Sequence, residues 1–146
     1  MLIGRSQLTQ MIPHAGAMCL LDGVRAIDAT HIVCTATSHR DAANPLRRRG
    51  QLAAICGVEY AAQAMAAHGA WACASAGGSR RGMFASLREV AWSCARLDQI
   101  DEELTIEAEL DADDGRTAAY RFALKAGEAL LLRGRATVVF APASST

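Results

Sequence analysis

Leu52-Ala-Ala-Ile-Cys-Gly-Val-Glu-Tyr-Ala-Ala-Gln-Ala-Met-Ala-Ala67 is the stretch whose reading decides the fold. It is rich in strong helix formers and free of proline, so it reads as a helix. It is also apolar almost all the way round, and a helix without a polar face is a buried one. Gly69 and the loop Ser75-Ala76-Gly77-Gly78-Ser79 are expected to end it.

What covers the helix is written downstream of it. From Leu104 to Leu110, Leu104, Ile106, Ala108 and Leu110 alternate with Thr105, Glu107 and Glu109, the pattern of a half-buried strand. Asp113-Asp114-Gly115 marks a turn, and Tyr120, Phe122 and Leu124 then alternate with Arg121, Ala123 and Lys125. After a second turn at Ala126-Gly127-Glu128, Leu130, Leu132, Gly134, Ala136, Val138 and Phe140 are expected on one face. Three strands joined by short turns form an antiparallel meander with one dry face. Val24 to Ile27, Ile32 to Thr37 and Met83 to Cys94 read as further strands, giving a sheet of about five or six. The expected class is α+β: an antiparallel sheet curled around one long central helix. Residues 1–141 are expected to be a single domain and 142–146 a disordered tail.

Composition narrows the function. At 146 residues the chain is the size of one ordinary domain. Fifteen basic residues cancel fifteen acidic ones, which argues against a general nucleic-acid binder. No apolar run reaches the roughly 18 to 20 residues of a membrane span, and Met1-Leu2-Ile3-Gly4-Arg5 lacks the apolar core of a signal peptide. The expectation is a cytoplasmic protein outside the membrane. Cys19, Cys34, Cys56, Cys73 and Cys94 are scattered with no CxxC pair and are expected to be reduced and mostly buried. His14, His31, His39 and His68 lack ligand spacing, and there is no phosphate-cradling glycine loop, so neither a metal nor a bound cofactor is expected. Trp71 and Trp92 are expected in core or interface.

Inside the helix, Glu59 and Gln63 lie one turn apart, with Cys56 preceding them on the same stripe. A carboxylate buried there is the kind of group whose pKa burial tunes for acid or base work; the alternative is a pairing that holds subunits together. Cys56 is a nucleophile only in principle, since no histidine neighbours it, and core packing suits it better. Arg47-Arg48-Arg49 stands just before the helix, where it could meet a phosphate or an acidic protein; a solvated loop explains it equally. Arg80-Arg81 poses the same question.

Gly57-Val58-Glu59-Tyr60-Ala61-Ala62-Gln63-Ala64 resembles the central-helix motif of hotdog-fold (3R)-hydroxyacyl-carrier-protein dehydratases, in which a glutamate is followed by an Ala-Gln pair. Ile12-Pro13-His14-Ala15-Gly16-Ala17-Met18-Cys19-Leu20-Leu21-Asp22-Gly23-Val24 resembles the family's opening pattern of Leu-Pro-His, an apolar run and an Asp before the first strand. Gly-Val-Glu-Tyr and the His68 end of the helix are most similar to the branch associated with aryl polyene biosynthesis, and the resemblance runs from about Leu8 to Phe140. It implies a hotdog fold with two subunits pairing edge to edge and active sites at the dimer interface. It implies a loop histidine that takes the proton beside the thioester carbonyl and a helix glutamate from the partner, here Glu59, that helps expel the hydroxyl. Backbone amides at the helix start, Gly57 among them, would polarise the carbonyl. Gln63, Cys56 and Arg48 would contact the substrate.

The chain departs from that pattern at the loop Asp41-Ala42-Ala43-Asn44-Pro45-Leu46-Arg47-Arg48-Arg49-Gly50, where Pro45 stands opposite the family's catalytic histidine. His14, inside a matched motif, and His39, just before the loop, remain as candidates for the base. Three readings follow from the resemblance and this departure. One is a dehydratase-like protein acting on 3-hydroxyacyl thioesters of acyl carrier protein or coenzyme A, in fatty acid or polyene biosynthesis, as a homodimer or higher oligomer. Another is an acyl thioesterase, with Glu59 and Gln63 activating water. The third is a catalytically silent subunit in a heteromer with a related dehydratase.

Overall fold

The alternating segments form strands of one antiparallel sheet, and the alanine-rich segment forms the helix it wraps. The computed structural model describes residues 2–12, 18–75 and 82–140. In chain order the elements are β1 (Ile3–Gly4), α1 (Arg5–Met11), β2 (Gly23–Ile27), β3 (His31–Ala36), α2 (Gly57–Ser75), β4 (Gly82–Trp92), β5 (Leu104–Asp113), β6 (Thr117–Ala126) and β7 (Ala129–Phe140). The sheet order is β1-β2-β3-β5-β6-β7-β4, with every pairing antiparallel. The strand that follows the helix therefore crosses to the far edge, leaving β5, β6 and β7 as a meander, with β3, β5 and β6 packed closest on α2. Among the described residues no helix is long and apolar enough to cross a membrane.

Seven strands replace the expected five or six, because the two-residue β1 pairs with β2 at Ile3↔Val24. Neither β1 nor α1 is long enough to show a period. α1 is nonetheless fixed by one fully buried side chain, Leu8. The core comprises the inward residues of the meander, Leu104, Ile106, Leu124 and Leu132 among them, packed against Tyr60, Ala61 and Ala64 of α2.

Gly69 does not end the helix, which continues through Ala70-Trp71-Ala72-Cys73-Ala74 to Ser75. A glycine costs about 1 kcal/mol relative to alanine in a helix interior; in the turn that follows it here, the half-buried Trp71 stacks on the His68 ring. Leu130 is also not on the inner face: it is 43% exposed while Leu131 is 5% exposed. A register shift between Leu124 and Lys125, where Leu124 pairs with Leu132 but Lys125 with Leu130, inserts Leu131 and reverses the alternation beyond it.

Gly134 faces Phe122 across the β6–β7 pair, and a Cβ on it would lie 2.7 Å from the ring's Cζ and 3.0 Å from a Val90 methyl. The ring occupies the space a side chain would need. His68, in mid-helix and 1% exposed, is satisfied at both nitrogens: Nε2 donates to the Asp28 carbonyl (2.9 Å) and Nδ1 accepts from the Tyr120 hydroxyl (2.7 Å). Burial lowers its pKa, as it does that of His39. Trp71 stacks on the His68 ring, while Trp92 is 53% exposed at the β4 edge rather than in the core. All five cysteines are free; Cys19 and Cys34 are buried and Cys56, Cys73 and Cys94 half-buried, so fewer are enclosed than expected. Burial pushes the Cys34 thiol up to about 12.

Candidate active site at the start of the central helix

The approach to α2 is built by backbone pairing. Arg48 and Gln51 exchange both of their amide hydrogen bonds (2.9 and 3.0 Å) around Arg49 and Gly50, whose φ values are +54° and +75°. That is the two-residue hairpin turn in which both central residues are left-handed, a conformation glycine adopts freely and arginine does not. Leu52 to Ala54 then runs beside Ala95 to Leu97, with Leu97 N–H donating to the Leu52 carbonyl (2.8 Å) and Ala54 N–H to the Ala95 carbonyl (3.0 Å). The Asp98 carboxylate completes this clamp. It accepts the Leu52 amide (2.9 Å) and two donors of Arg96, which hold it well below the usual carboxylate range.

A single 3₁₀ turn, Ala54–Cys56, leads into the helix. The Gly57 amide is taken up by the Ala54 and Ile55 carbonyls of that turn. What glycine contributes here is closeness, since a Cβ would meet a Leu124 methyl at 2.9 Å and a Leu132 methyl at 3.4 Å.

The burial expected for Glu59 is not found, because its side chain is exposed. Ile55, Glu59, Ala62 and Ala66 follow one another at turn spacing on the side the sheet leaves open: Ile55 is 46% exposed, and both alanines are half-buried. Alanine serves the core and the open side alike, so composition could not separate the two. Cys56 is half-buried beside this stripe. Burial raises its pKa, with Glu59 adding to the rise and Arg48 opposing it. Arg48 and Glu59 thus each lie within electrostatic reach of Cys56 at the helix start. Of the three loop arginines, Arg47 is held by the Gly50 carbonyl (2.9 Å) and the His39 carbonyl (3.1 Å), while Arg48 and Arg49 are exposed.

Gln63 turns away from that stripe. It is 2% exposed and grips a distant segment, Oε1 accepting the Leu20 amide (2.8 Å) and Nε2 donating to the Met18 carbonyl (2.7 Å). His14 lies outside the described residues, as do Arg80, Arg81 and the tail 142–146. His39 is fully buried, its Nε2 donating to the Ile100 carbonyl (3.0 Å) and its Nδ1 without a partner among the described residues.

A network not anticipated from the sequence centres on Tyr60, fully buried next to Glu59. Asn44 Nδ2 donates to the Tyr60 hydroxyl (3.1 Å), the tyrosine donates to Ser38 Oγ (2.7 Å), and Ser38 donates to the Leu20 carbonyl (2.7 Å). The loop is thereby tied to the helix through Asn44, the residue before Pro45. The only signal for it was the tyrosine's place beside the glutamate. Pro45 itself lines a different cleft, about 270 Å³ in volume, with Arg5, Asp22, Thr37, Asp41 and Asn44. Glu59 is not among the residues that line this cleft. Among the described residues no group of histidine, cysteine, aspartate or glutamate could hold a metal ion.

Comparison with known proteins gives this geometry a lineage. The chain is similar to a solved chain from the dehydratase heterocomplex ApeI:P of Xenorhabdus doucetiae, with 22% identity, 92% of this chain and 91% of that one covered, and a TM-score of 0.82. It has the same fold as a mutant thioesterase from Pseudomonas aeruginosa (14% identity, 98% and 97% covered, TM-score 0.67). A hypothetical thioesterase with coenzyme A from Streptococcus pneumoniae is a further likeness (14%, 84% and 87%, TM-score 0.61). No curated protein matches the chain. A model of the ApeP-like family, described as ApeP dehydratase, matches residues 6–146. With its sheet wrapped around the Glu59 helix, the chain belongs to the ApeP-like family and is a dehydratase-like hotdog protein.

Proposed function

We propose that this protein acts on 3-hydroxyacyl thioesters presented by acyl carrier protein in aryl polyene biosynthesis, in the cytoplasm, and that its site is completed by a second subunit. The observation that carries the reading is the position of Glu59, exposed in the first turn of α2 and outside the cleft lined by Pro45. A carboxylate turned out of its own subunit is placed to serve a neighbour's. In this reading Glu59 gives the proton with which the 3-hydroxyl leaves as water, and a histidine takes the proton next to the thioester carbonyl. That histidine comes from a related dehydratase subunit; His14 is the candidate within a homodimer. Arg48 meets the anionic arm of the substrate, Cys56 and Gly57 shape the wall beside Glu59, and Gln63 positions the Met18–Leu20 segment.

The second subunit is expected at β4. That strand is one edge of the sheet, and Leu87 and Trp92 on it are 41% and 53% exposed, with Ile55 and Glu59 also uncovered. The similarity to a chain from a dehydratase heterocomplex supports a related dehydratase as that partner.

The test is mass spectrometry of a 3-hydroxyacyl-carrier-protein thioester incubated with this protein alone, with a related histidine-bearing dehydratase alone, and with both. Loss of one water in the mixture, abolished by Glu59→Gln in this chain, supports the reading. Water loss that is indifferent to Glu59→Gln overturns the role given to Glu59. A freed carrier thiol would make the protein a thioesterase instead.

A further inference from the structure

The convex face of the sheet, opposite the helix, carries a row of arginines that the proposed chemistry does not use. Directly opposed residues of neighbouring strands share a face. In one row Arg88 of β4 pairs in register with Arg135 of β7, Arg135 with Arg121 of β6, and Arg121 with Glu109 of β5. Arg133 lies two residues from Arg135 and so projects from the same face. All four arginines are exposed.

Three like charges side by side across a sheet destabilise it, and the neighbouring anions relieve only part of the row. Arg121 is paired with Glu109 (3.3 Å) and Asp111 (2.9 Å), and Arg135 with Glu89 (2.9 Å). Glu89 reaches Arg135 from a bulge in β4 where its own φ is +56°. Arg88 and Arg133 have no ion-pair partner among the described residues. The β4–β7 side of this face thus carries Arg88, Arg133 and Arg135 against Glu89 alone. The β5 side carries Glu107, Glu109 and Asp111.

We infer that this arginine row is a docking surface for an acidic protein. Carboxylates one turn apart on a helix are about 5–6 Å from each other, close to the roughly 4.8 Å between strands, so an acidic helix can lie across β7 and β4 with its charges in step. The carboxylates of β5 bound the patch and repel a long polyanion, which is why a nucleic acid, needing a continuous basic stripe, does not fit. The inference uses the carrier-protein part of the proposed function only in choosing the probe.

The experiment titrates a holo-acyl carrier protein, which is acidic, into the full-length protein and follows binding by calorimetry. Arg88→Glu/Arg133→Glu is expected to weaken binding about tenfold or more while the protein stays folded, and added salt to weaken the wild type steeply. Arg25→Glu on β2, whose arginine is paired with Glu103 at 3.2 Å, should leave it unchanged. If the reversed variant folds poorly, Arg88→Gln/Arg133→Gln takes its place. Unaltered affinity in a folded double variant overturns the inference, as does equally tight binding of a short DNA duplex. Loss with Arg48→Glu and not with the double variant puts docking at the helix start and overturns it too. Turnover of a pantetheine thioester, measured in parallel with the related dehydratase, tests the proposed chemistry separately: its absence leaves the docking result standing.

Discussion

The hydroxyl of Tyr60 lies 2.7 Å from Ser38 Oγ, and together with the Asn44 bond to the same hydroxyl it joins the helix that bears Glu59 to the loop that bears Pro45. Because Ser38 donates onward to Leu20, the tyrosine must donate to Ser38 and accept from Asn44. Tyr60→Phe keeps the ring and removes the hydroxyl. Asn44 then keeps its bond to the Ser38 carbonyl (2.9 Å) but loses the phenol. We expect a loss of about 1–2 kcal/mol of stability, read from urea unfolding. An unfolding midpoint equal to that of the wild type would show the network to be dispensable.

Glu59 presents the opposite case. Its side chain is exposed, so Glu59→Gln should change stability by no more than about 0.5 kcal/mol. Dehydration by the assembled protein should nevertheless fall about 100-fold or more. Both are measured on the same preparation, thermal unfolding first and turnover second.

His39 and His68 set the pH dependence of stability near neutrality. Burial is the main cause of the lowered pKa of each, below the ordinary 6.5. Between the folded value and 6.5 the unfolded chain binds more protons, so stability rises with pH across that window. The contribution is complete above 6.5 and is lost as pH falls through the folded value. Urea midpoints should therefore decrease from about pH 7.5 to about pH 5, with a shallower slope in His68→Phe. An unchanged slope would assign the effect to other groups.

Gly134→Ala tests the close packing of β7 against Phe122 and Val90. The added methyl would meet the Phe122 ring end at 2.7 Å and Val90 at 3.0 Å, and forcing the two apart should cost about 1–3 kcal/mol. Pairing it with Phe122→Leu should recover part of the loss, which a double-mutant cycle measures.

The sheet was legible because the alternation runs for ten residues or more in β5, β6 and β7, and the helix because its helix formers run without proline or a polar face through most of α2. What stayed hidden was local. The inserted Leu131 leaves no mark in a run of three leucines, Leu130 to Leu132. Gly69 reads as a stop in the sequence, and the stacking of Trp71 on His68 just beyond it has no local pattern. At the site, Glu59 was legible as a residue and its exposure was not. The grip of Gln63 on Met18 and Leu20 and the contact of Tyr60 with Ser38 join positions more than twenty residues apart, which no local pattern encodes.

The crossing of β4 to the far edge bears on how the chain is made. β4 is finished at Trp92, but its one strand partner among the described residues, β7, begins at Ala129. A chain still being synthesised must therefore carry β4 without this partner until β5, β6 and β7 have emerged. Such long-range closure slows folding and leaves edges open to the wrong neighbour. It also means that a stop codon before β7 would remove more than one strand: β4 would lose its place, and the central helix one side of its wrapping.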